Sequence, residues 1–344
     1  MELDMRKMRI LQAIIDDYIL TATPVGSRTI SKLSDISLSS ATIRNEMSDL
    51  EEMGYLEQPH TSAGRVPSEK AYRLYVNSIM RQSHLTEAEK RFIKGCYSNT
   101  LDGLDQVVRQ TAWVLSSMSK YTSMVLRPTL HAVKVKRVQL VPVSEGRALA
   151  VVVTDLGATQ DTIINVPRGM DYFQLERASN IITDYLSGCT LQDVSSISIP
   201  ELRAALDSQR EFLDEALSAL HKSLDNGPGG VQLAGTTNIL NYPEYNDMNK
   251  ARSFLTAIEA KDVLYNLLNE ATEVEFSIKI GAENKDKDMQ DCSVVTATYK
   301  VGPTVGSLGI IGPVRMDYAR VIALMRHIGK SVSEVLTSMF EEDR

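Results

Sequence analysis

SSATIRNEMSDLEEMGYLEQPHTSAGRVP, residues 39–67, is the stretch that decides how the N-terminal part of this chain is interpreted. Ser39 and Ser40 are favourable helix N-caps, because a serine hydroxyl accepts hydrogen bonds from the first free backbone N–H groups of a helix. Gly54 can end such a helix, because glycine adopts positive φ without strain. Apolar residues between these ends follow the i, i+4, i+7 spacing of one buried face, at Ile43, Met47 and Leu50. The stretch therefore predicts an amphipathic helix that ends before Gly54.

A β-hairpin is expected directly after this helix. Residues 55–58 form its first strand, residues 59–64 its turn, and Arg65-Val66 begins the return strand. Taken alone, residues 39–67 would also fit an ordinary core helix followed by a loop, so the flanking segments decide between the two interpretations.

Two further helices are predicted upstream. Residues 5–20 carry apolar side chains at helical spacing, and Pro24 ends this segment because the residue before a proline is pushed out of the helical region. Residues 25–33 form a short second helix, and residues 35–38 form the turn into the third. Three helices followed by a hairpin are typical of a winged helix-turn-helix, in which the third helix enters the DNA major groove and the wing reaches the backbone or minor groove.

The polar face of the third helix suits recognition of base edges, because arginine and asparagine form bidentate hydrogen bonds with guanine and adenine. Short polar groups and one arginine occupy its first two turns. Residues just upstream can hold phosphates, and the hairpin tip can contact the backbone or minor groove. For His60 the alternative of an exposed loop histidine without function stays open. The candidate DNA contacts are Ser39, Ser40, Thr42, Arg44, Asn45 and Ser48 in the major groove, Arg28 and Thr29 at phosphates, and His60, Thr61, Ser62 and Arg65 in the wing.

The charge balance argues against indiscriminate nucleic-acid binding, which needs a basic face. The whole chain has a net charge of −7. Residues 1–83 hold ten Lys/Arg and eleven Asp/Glu, a net charge of −1. Several of the basic residues nevertheless cluster around the third helix. We therefore expect weak binding to random DNA, with affinity that depends on specific contacts and on pairing of two copies.

Length and composition indicate a globular protein of two or three domains, since 344 residues exceed the usual size of one domain and 43% of them are hydrophobic. The longest strongly apolar run, residues 148–153, is too short to span a bilayer. The N-terminus lacks the layout of a signal peptide, so a cytoplasmic protein without membrane association is expected. Three scattered cysteines indicate neither a disulfide framework nor a zinc site.

No catalytic constellation is visible. The chain contains no GxxxxGK[ST], HExxH or GxSxG motif, and its five histidines lie far apart. The acidic run 283–291 lacks the glycine and ligand spacing of a calcium loop, so we interpret it as a solvated hairpin loop. No enzymatic activity, cofactor or metal is expected.

The rest of the chain predicts a sheet that a helical block interrupts. A helix is predicted near 67–79, where its apolar stripe fits either the winged module or the next domain equally well, and a long helix over 104–124. A last helix over 316–339 could pack on the sheet or on a partner subunit. Strands are predicted at 134–143, 148–154, 161–166, 274–280, 292–301 and 306–311, with helices at 171–186 and 200–224 and a breaker at 226–230.

Four stretches closely resemble the HrcA family of bacterial heat-inducible transcription repressors. They are PVGSRTISK (24–32), SSATIRNEMSDLEEMGYLEQPHTSAGRVPSEKAYRLYV (39–76), AGTTNILNYPEY (234–245) and VGSLGIIGPVRMDYARVIALM (305–325). The resemblance implies a homodimer that binds an inverted-repeat operator in double-stranded DNA upstream of chaperone genes. It also implies release on heat stress and the chaperonin as a partner that helps to keep the repressor active.

The resemblance further implies an α+β multidomain fold: an N-terminal winged helix-turn-helix, a GAF-like domain with an antiparallel sheet, and an inserted, mostly helical dimerising domain. We expect the winged helix and linker at 1–100, the two parts of the GAF-like domain at 101–167 and 241–344, and the insert at 168–240. The competing hypothesis is a metabolite-responsive regulator whose GAF-like domain binds a small ligand, although no convergent polar set in the sequence marks a pocket.

Overall fold

The computed structural model is of mixed α+β class. It describes residues 3–32, 38–60, 63–81, 83–98, 103–128, 134–154, 159–190, 230–270, 275–302 and 304–342. The helices of this part are α1 (Met5–Thr21), α2 (Ser27–Ile30), α3 (Ser40–Glu52), α4 (Glu69–Leu74, continued by a π turn over Tyr75–Ile79), α5 (Glu87–Cys96), α6 (Leu104–Ser119), α7 (Tyr172–Leu186), α8 (Met248–Glu259), α9 (Lys261–Glu270) and α10 (Tyr318–Glu342). The strands are β1 (Leu56–Glu57), β2 (Val66–Pro67), β3 (Thr122–Leu126), β4 (Val135–Ser144), β5 (Arg147–Thr154), β6 (Thr159–Asn165), β7 (Val231–Ala234), β8 (Phe276–Ile280), β9 (Cys292–Val301) and β10 (Thr304–Pro313).

The N-terminal unit consists of α1, α2, α3 and the antiparallel hairpin β1–β2, close to the prediction. Ser39 caps α3 by accepting from the Thr42 N–H, and Gly54 follows the helix with φ +76°. Helix α2 is shorter than the predicted 25–33. The reason is that Val25 is extended and exchanges two backbone hydrogen bonds with Arg65, of 2.8 and 2.9 Å. The segment before α2 therefore pairs with the hairpin next to β2, through a single antiparallel bridge.

An antiparallel five-stranded sheet in the order β7-β3-β10-β9-β8 forms the larger core. Helices α6 and α10 cover one face, where Leu308 and Ile310 are buried in one cluster with Leu324 and Ile328. Helices α8 and α9 cover the other face. The last helix thus packs on the sheet, which settles the alternative between the sheet and a partner subunit for its apolar face.

The prediction of one helix over 104–124 is wrong at its C-terminal end. Helix α6 stops at Ser119, Lys120 follows with φ +66°, and Thr122–Leu126 is the strand β3. All five residues of β3 are buried, because β10 and β7 pair with it on both sides and helices cover both faces. A fully buried strand lacks the alternation that distinguishes a strand from a helix in sequence.

The predicted strands between residues 134 and 166 exist, but their assignment to the interrupted sheet is wrong. Strands β4, β5 and β6 form a separate antiparallel sheet, and α7 packs against its edge strand β4. The hydroxyls of Ser179 and Thr183 accept from the N–H groups of Leu140 and Val138 at 2.9 and 3.0 Å. The five-stranded sheet is therefore interrupted between β3 and β7. The predicted helix 200–224 and most of the breaker 226–230 lie outside the described residues.

Residues 247–291 contain one departure from the predictions, because helices α8 and α9 were not predicted. The acidic run 283–291 is the hairpin loop between β8 and β9, as predicted, and most of its side chains are exposed. Two residues of this loop are buried: Met289, and Asn284, whose amide donates to the carbonyls of Gly281, Met289 and Cys292. Among the described residues, no helix combines the length and hydropathy that crossing a bilayer requires.

Candidate nucleic-acid interface

The outward face of α3 carries polar side chains that have no partner in the described part of the chain. Ile43, Met47 and Leu50 are buried, and the same helical turn leaves Arg44, Asn45 and Ser48 exposed. No hydrogen bond or ion pair engages the side chains of Arg44, Asn45 or Ser48 within the described residues. Their donors and acceptors are therefore free to pair with base edges, as bidentate recognition requires.

The first turn of α3 is internally bonded. The Ser39 hydroxyl accepts from the Thr42 N–H at 3.1 Å and lies 2.9 Å from the Thr42 hydroxyl. The Ser40 hydroxyl lies 3.0 Å from that of Ser27 at the start of α2. These predicted contact residues therefore cap α3 and join it to α2, so the structure gives them a positioning role beside any contact with DNA.

Helix α2 presents Arg28 and Thr29 to solvent beside the start of α3. Both residues are exposed, and within the described residues the Arg28 guanidinium forms no ion pair. The Ser27–Ser40 contact holds this helix against α3. Arg28 and Thr29 are therefore exposed on a helix that contacts the start of α3, and their role as phosphate contacts stays a prediction.

Acidic residues late in α3 are neutralised by α1. Lys7 Nζ lies 2.7 Å from Glu46 and 2.9 Å from Asp49, and Arg6 lies 3.4 Å from Glu46. Hydrogen bonds from Lys7 to the Glu46 and Asp49 carboxylates raise the pKa of the Lys7 ammonium well above its usual range. The negative charge of Glu46 and Asp49 is therefore compensated locally by cations of α1.

The hairpin is held against the C-terminal end of α3 by Arg65. Its guanidinium contacts Glu51 Oε2 through Nε at 2.9 Å and through Nη2 at 2.8 Å, and its side chain is only 18% exposed. Among the predicted wing residues, Arg65 is thus engaged within the protein, whereas His60 is exposed at the tip. Thr61 and Ser62 lie outside the described residues.

Gly64, which the sequence places in the hairpin turn, lies against the backbone of the segment before α2, where a larger residue does not fit. A Cβ atom at this position would lie 2.4 Å from the Val25 carbonyl oxygen and 2.8 Å from the Pro24 carbonyl carbon. Because both are backbone atoms, no side-chain rotation would relieve the overlap. The hairpin packs on the segment before α2, and only glycine permits that contact.

Helix α4 connects the N-terminal unit to the five-stranded sheet. Its Tyr75 hydroxyl donates to Asp16 of α1 at 2.8 Å, and the Tyr72 ring lies 6.1 Å from that of Tyr318 at the start of α10. The apolar stripe of this helix therefore contacts both α1 of the N-terminal unit and α10 of the next domain. The two interpretations that the sequence left open, packing on the winged module or on the next domain, both apply.

Two arginines complete this junction. Arg73 of α4 donates to the Ile278 carbonyl at 2.7 Å and forms an ion pair with Glu283. Arg315, before α10, donates to the Ile19 carbonyl of α1 at 2.8 Å and forms an ion pair with Glu244. Both contacts join residues that are distant in sequence, so the sequence analysis did not find them.

Within the described part of the chain, no group of three or more His, Cys, Asp and Glu residues is arranged to hold a metal ion. Cys96, Cys189 and Cys292 form no disulfide. Burial raises the pKa of the Cys292 thiol to about 11, which keeps it protonated and unreactive at neutral pH.

Comparison with known proteins identifies the family. The family model described as the HrcA protein C-terminal domain matches residues 105–322. A heat-inducible transcription repressor HrcA from Acetivibrio thermocellus is 42% identical over 347 aligned positions, covering 100% of this chain and 99% of the relative. One from Brevibacillus brevis is 40% identical, covering 98% and 99%.

The fold also has a solved counterpart over nearly its whole length. A crystal structure of a hypothetical protein matches with a TM-score of 0.65 and 25% identity, covering 98% of this chain and 100% of that chain. The similarity to the curated relatives and to this structure thus extends over nearly the whole chain. The chain therefore belongs to the HrcA family of heat-inducible transcription repressors.

Proposed function

We propose that the N-terminal unit is a winged helix-turn-helix that binds operator DNA with α3 in the major groove. The observation that carries this proposal is the outward face of α3, where Arg44, Asn45 and Ser48 are exposed and without partners in the described part of the chain. Arg28 and Thr29 hold flanking phosphates, and the hairpin tip at His60 reaches the backbone or the minor groove. Arg65 positions the hairpin through its ion pair with Glu51, which favours a supporting role over a DNA contact.

The five-stranded sheet and its helices form the GAF-like domain, and an inserted unit separates its strands β3 and β7. This division moves the start of the insert from 168 to the end of β3, because β4, β5 and β6 belong to a sheet of their own. Residues 1–100 remain the DNA-binding unit with its linker. The two parts of the GAF-like domain are then 101–126 and 231–344.

The insert pairs two copies of the chain through the more exposed face of its sheet. On that face Val141, Leu149 and Ile163 lie side by side on neighbouring strands. Val141 is 40% and Ile163 49% exposed, although both are large and apolar. An exposed apolar row across three strands favours burial against another protein surface, and a second copy of the same row is self-complementary.

A two-fold dimer would place two α3 helices on the two halves of an inverted-repeat operator upstream of chaperone genes. Heat would release the repressor, and chaperonin would favour its active form, as the family likeness implies. A DNA-binding repressor of this kind works in the bacterial cytoplasm. Pairing also compensates for a unit whose net charge makes binding by one copy weak.

The test is fluorescence anisotropy with an inverted-repeat duplex from a chaperone promoter and a scrambled duplex of the same length and composition. We expect binding to the operator at least about 1,000-fold tighter than to the scrambled duplex, the usual lower range for specific recognition. Equal affinity for the two duplexes at the same salt concentration would overturn the proposal.

A second candidate function is a repressor that also responds to a small ligand in its GAF-like domain. The observation that favours it is a groove beside α10 whose basic side chains are unpaired or only weakly paired within the described residues.

A further inference from the structure

A groove of about 460 Å³ runs between the second half of α10 and the edge of the five-stranded sheet at β8 and β9. Its rim carries Lys300, Arg326 and Lys330 as cations and Glu275 as the one acid. This local excess of positive charge occurs in a protein with a net charge of −7. The groove therefore differs in sign from the molecule around it.

Lys300 and Arg326 form no ion pair in the described part of the chain, and Lys330 forms only a weak surface pair. In the described part of the chain, Lys300 has no side-chain partner, and the contact given for Arg326 is with the Phe276 ring, 5.7 Å from its centroid. Lys330 lies 3.8 Å from Glu334, but both side chains are largely exposed. A surface pair of that geometry contributes little and is easily exchanged for another anion.

The cleft at the junction with the N-terminal unit provides the contrast. It has a similar volume of about 520 Å³ and also contains three basic residues. There Lys250 pairs with Asp291 at 2.9 Å, Arg315 pairs with Glu244, and Lys70 donates to the Met53 carbonyl at 2.8 Å. Since its cations are all satisfied, that cleft offers no comparable attraction to an anion.

The lining of the α10 groove is mixed. Phe276 contributes a partly exposed aromatic ring, whereas Ala297 and Met325 are apolar but almost fully buried. Thr298 and Ser333 add polar groups. An aromatic ring beside a few convergent polar groups is a combination found in small-molecule sites.

We propose that this groove binds a small organic anion, with a carboxylate or phosphate group held by Lys300, Arg326 and Lys330 and an apolar or aromatic body against the Phe276 ring. The guanidinium of Arg326, kept over Phe276, is pre-oriented for a bidentate contact with such a group. The site lies in the sheet domain, so it is independent of the assignment of α3 to DNA binding.

The probe is phenyl phosphate, titrated into the full-length protein by isothermal titration calorimetry at low ionic strength. We expect saturable binding to one site per chain, with inorganic phosphate and benzyl alcohol each weaker because each lacks one half of the recognised group. Arg326→Gln and Lys330→Gln should each lower the affinity about 10-fold, the usual loss for a charge-assisted hydrogen bond.

Lys287→Gln is the matched control, because Lys287 is an exposed lysine on the loop between β8 and β9, outside the groove. It should leave the affinity within twofold of the original protein. Arg326 and Lys330 are exposed, so their variants should unfold at an unchanged temperature. The proposal would be overturned if the protein showed no saturable binding of phenyl phosphate. It would also be overturned if Lys287→Gln lost as much affinity as the groove variants, or if the Arg326→Gln/Lys330→Gln double variant kept the original affinity. Binding of an acidic peptide but not of phenyl phosphate would overturn it as well.

Discussion

The outward face of α3 and the junction around α4 use the same residue types in opposite ways. On α3, Arg44 is exposed and has no ion-pair partner in the described part of the chain, whereas the acids behind it are paired with Lys7. At the junction, Arg73 and Arg315 each combine an ion pair with a backbone carbonyl. An unpaired arginine is available to a ligand, while an arginine that already bonds a carboxylate and a backbone carbonyl holds two segments of the protein together.

This difference also suggests how the two regions communicate. The junction ties α1 and α4 of the N-terminal unit to Glu283, Glu244 and the start of α10, so the orientation of α3 depends on the sheet domain. Buried inside the same junction, the Tyr72 hydroxyl has no hydrogen-bond partner among the residues that the structure describes, and an unsatisfied group of this kind costs about 1–3 kcal/mol. The junction therefore has ion pairs and hydrogen bonds at its edges and an unsatisfied hydroxyl at its centre.

The largest effect on operator binding is expected at Gly64, where the N-terminal unit depends on backbone geometry. Gly64→Ala should destabilise the N-terminal unit by about 1–3 kcal/mol and abolish operator binding, because the new Cβ overlaps the Val25 backbone. Thermal denaturation and anisotropy would measure both. Gly95→Ala is the control: its Cβ meets nothing within 4 Å on α5, so it should be neutral or slightly stabilising. A stable Gly64→Ala protein would show that the hairpin can leave Val25.

Arg315→Met tests the paired side of the comparison. It removes the bond to the Ile19 carbonyl and leaves Glu244 without its partner, so we expect a loss of about 2–3 kcal/mol in the free energy of unfolding. Urea denaturation measures this loss, and hydrogen exchange should show earlier opening of α1 and α4. Arg315→Met/Glu244→Leu should recover part of the stability. Unchanged exchange at Ile19 would contradict a structural tie.

Arg44→Ala tests the free side. It should weaken operator binding by about 1–3 kcal/mol and relax base preference, the usual effect of losing one base contact, without lowering the unfolding temperature. Arg109→Ala is a matched control, because Arg109 is an exposed arginine on α6. If Arg44→Ala weakened operator and scrambled duplex equally, Arg44 would be a phosphate contact.

The smallest effect is expected at Glu89, which ties α5 to α10. Its carboxylate accepts from the Thr86 N–H and from Arg320, which lowers its pKa to about 2 from a usual 4.5. Because the folded-state pKa is depressed, the stabilisation is present above pH 4.5 and is lost as the pH falls toward 2. Glu89→Gln should therefore cost about 1 kcal/mol at pH 7. Denaturation at pH 7 and pH 3 should show this difference shrinking in acid, and a constant difference would contradict the assignment.

The chain's local patterns predicted the elements that depend on neighbours within a few residues. Ser39 and Gly54 mark the two ends of α3 as expected, since a helix cap forms with backbone groups only three or four positions away. The helical period also separated exposed Arg44 and Asn45 from the buried face. The predicted strand 292–301 has the same bounds as β9 for the same reason, because turn residues flank it.

Only the tertiary structure decided which strands share a sheet and which arginines are free. Residues 122–126 became a strand because β10 and β7 supply hydrogen bonds on both sides, although the sequence continues the period of α6. Arg65 pairs with Glu51 fourteen positions away, and Arg73 with Glu283 across 210 positions. Such contacts depend on where the whole chain brings two segments together. By itself, the sequence determined the local helices and the family likeness, while the folded chain determined the unpaired surface of α3 and the paired junction behind it.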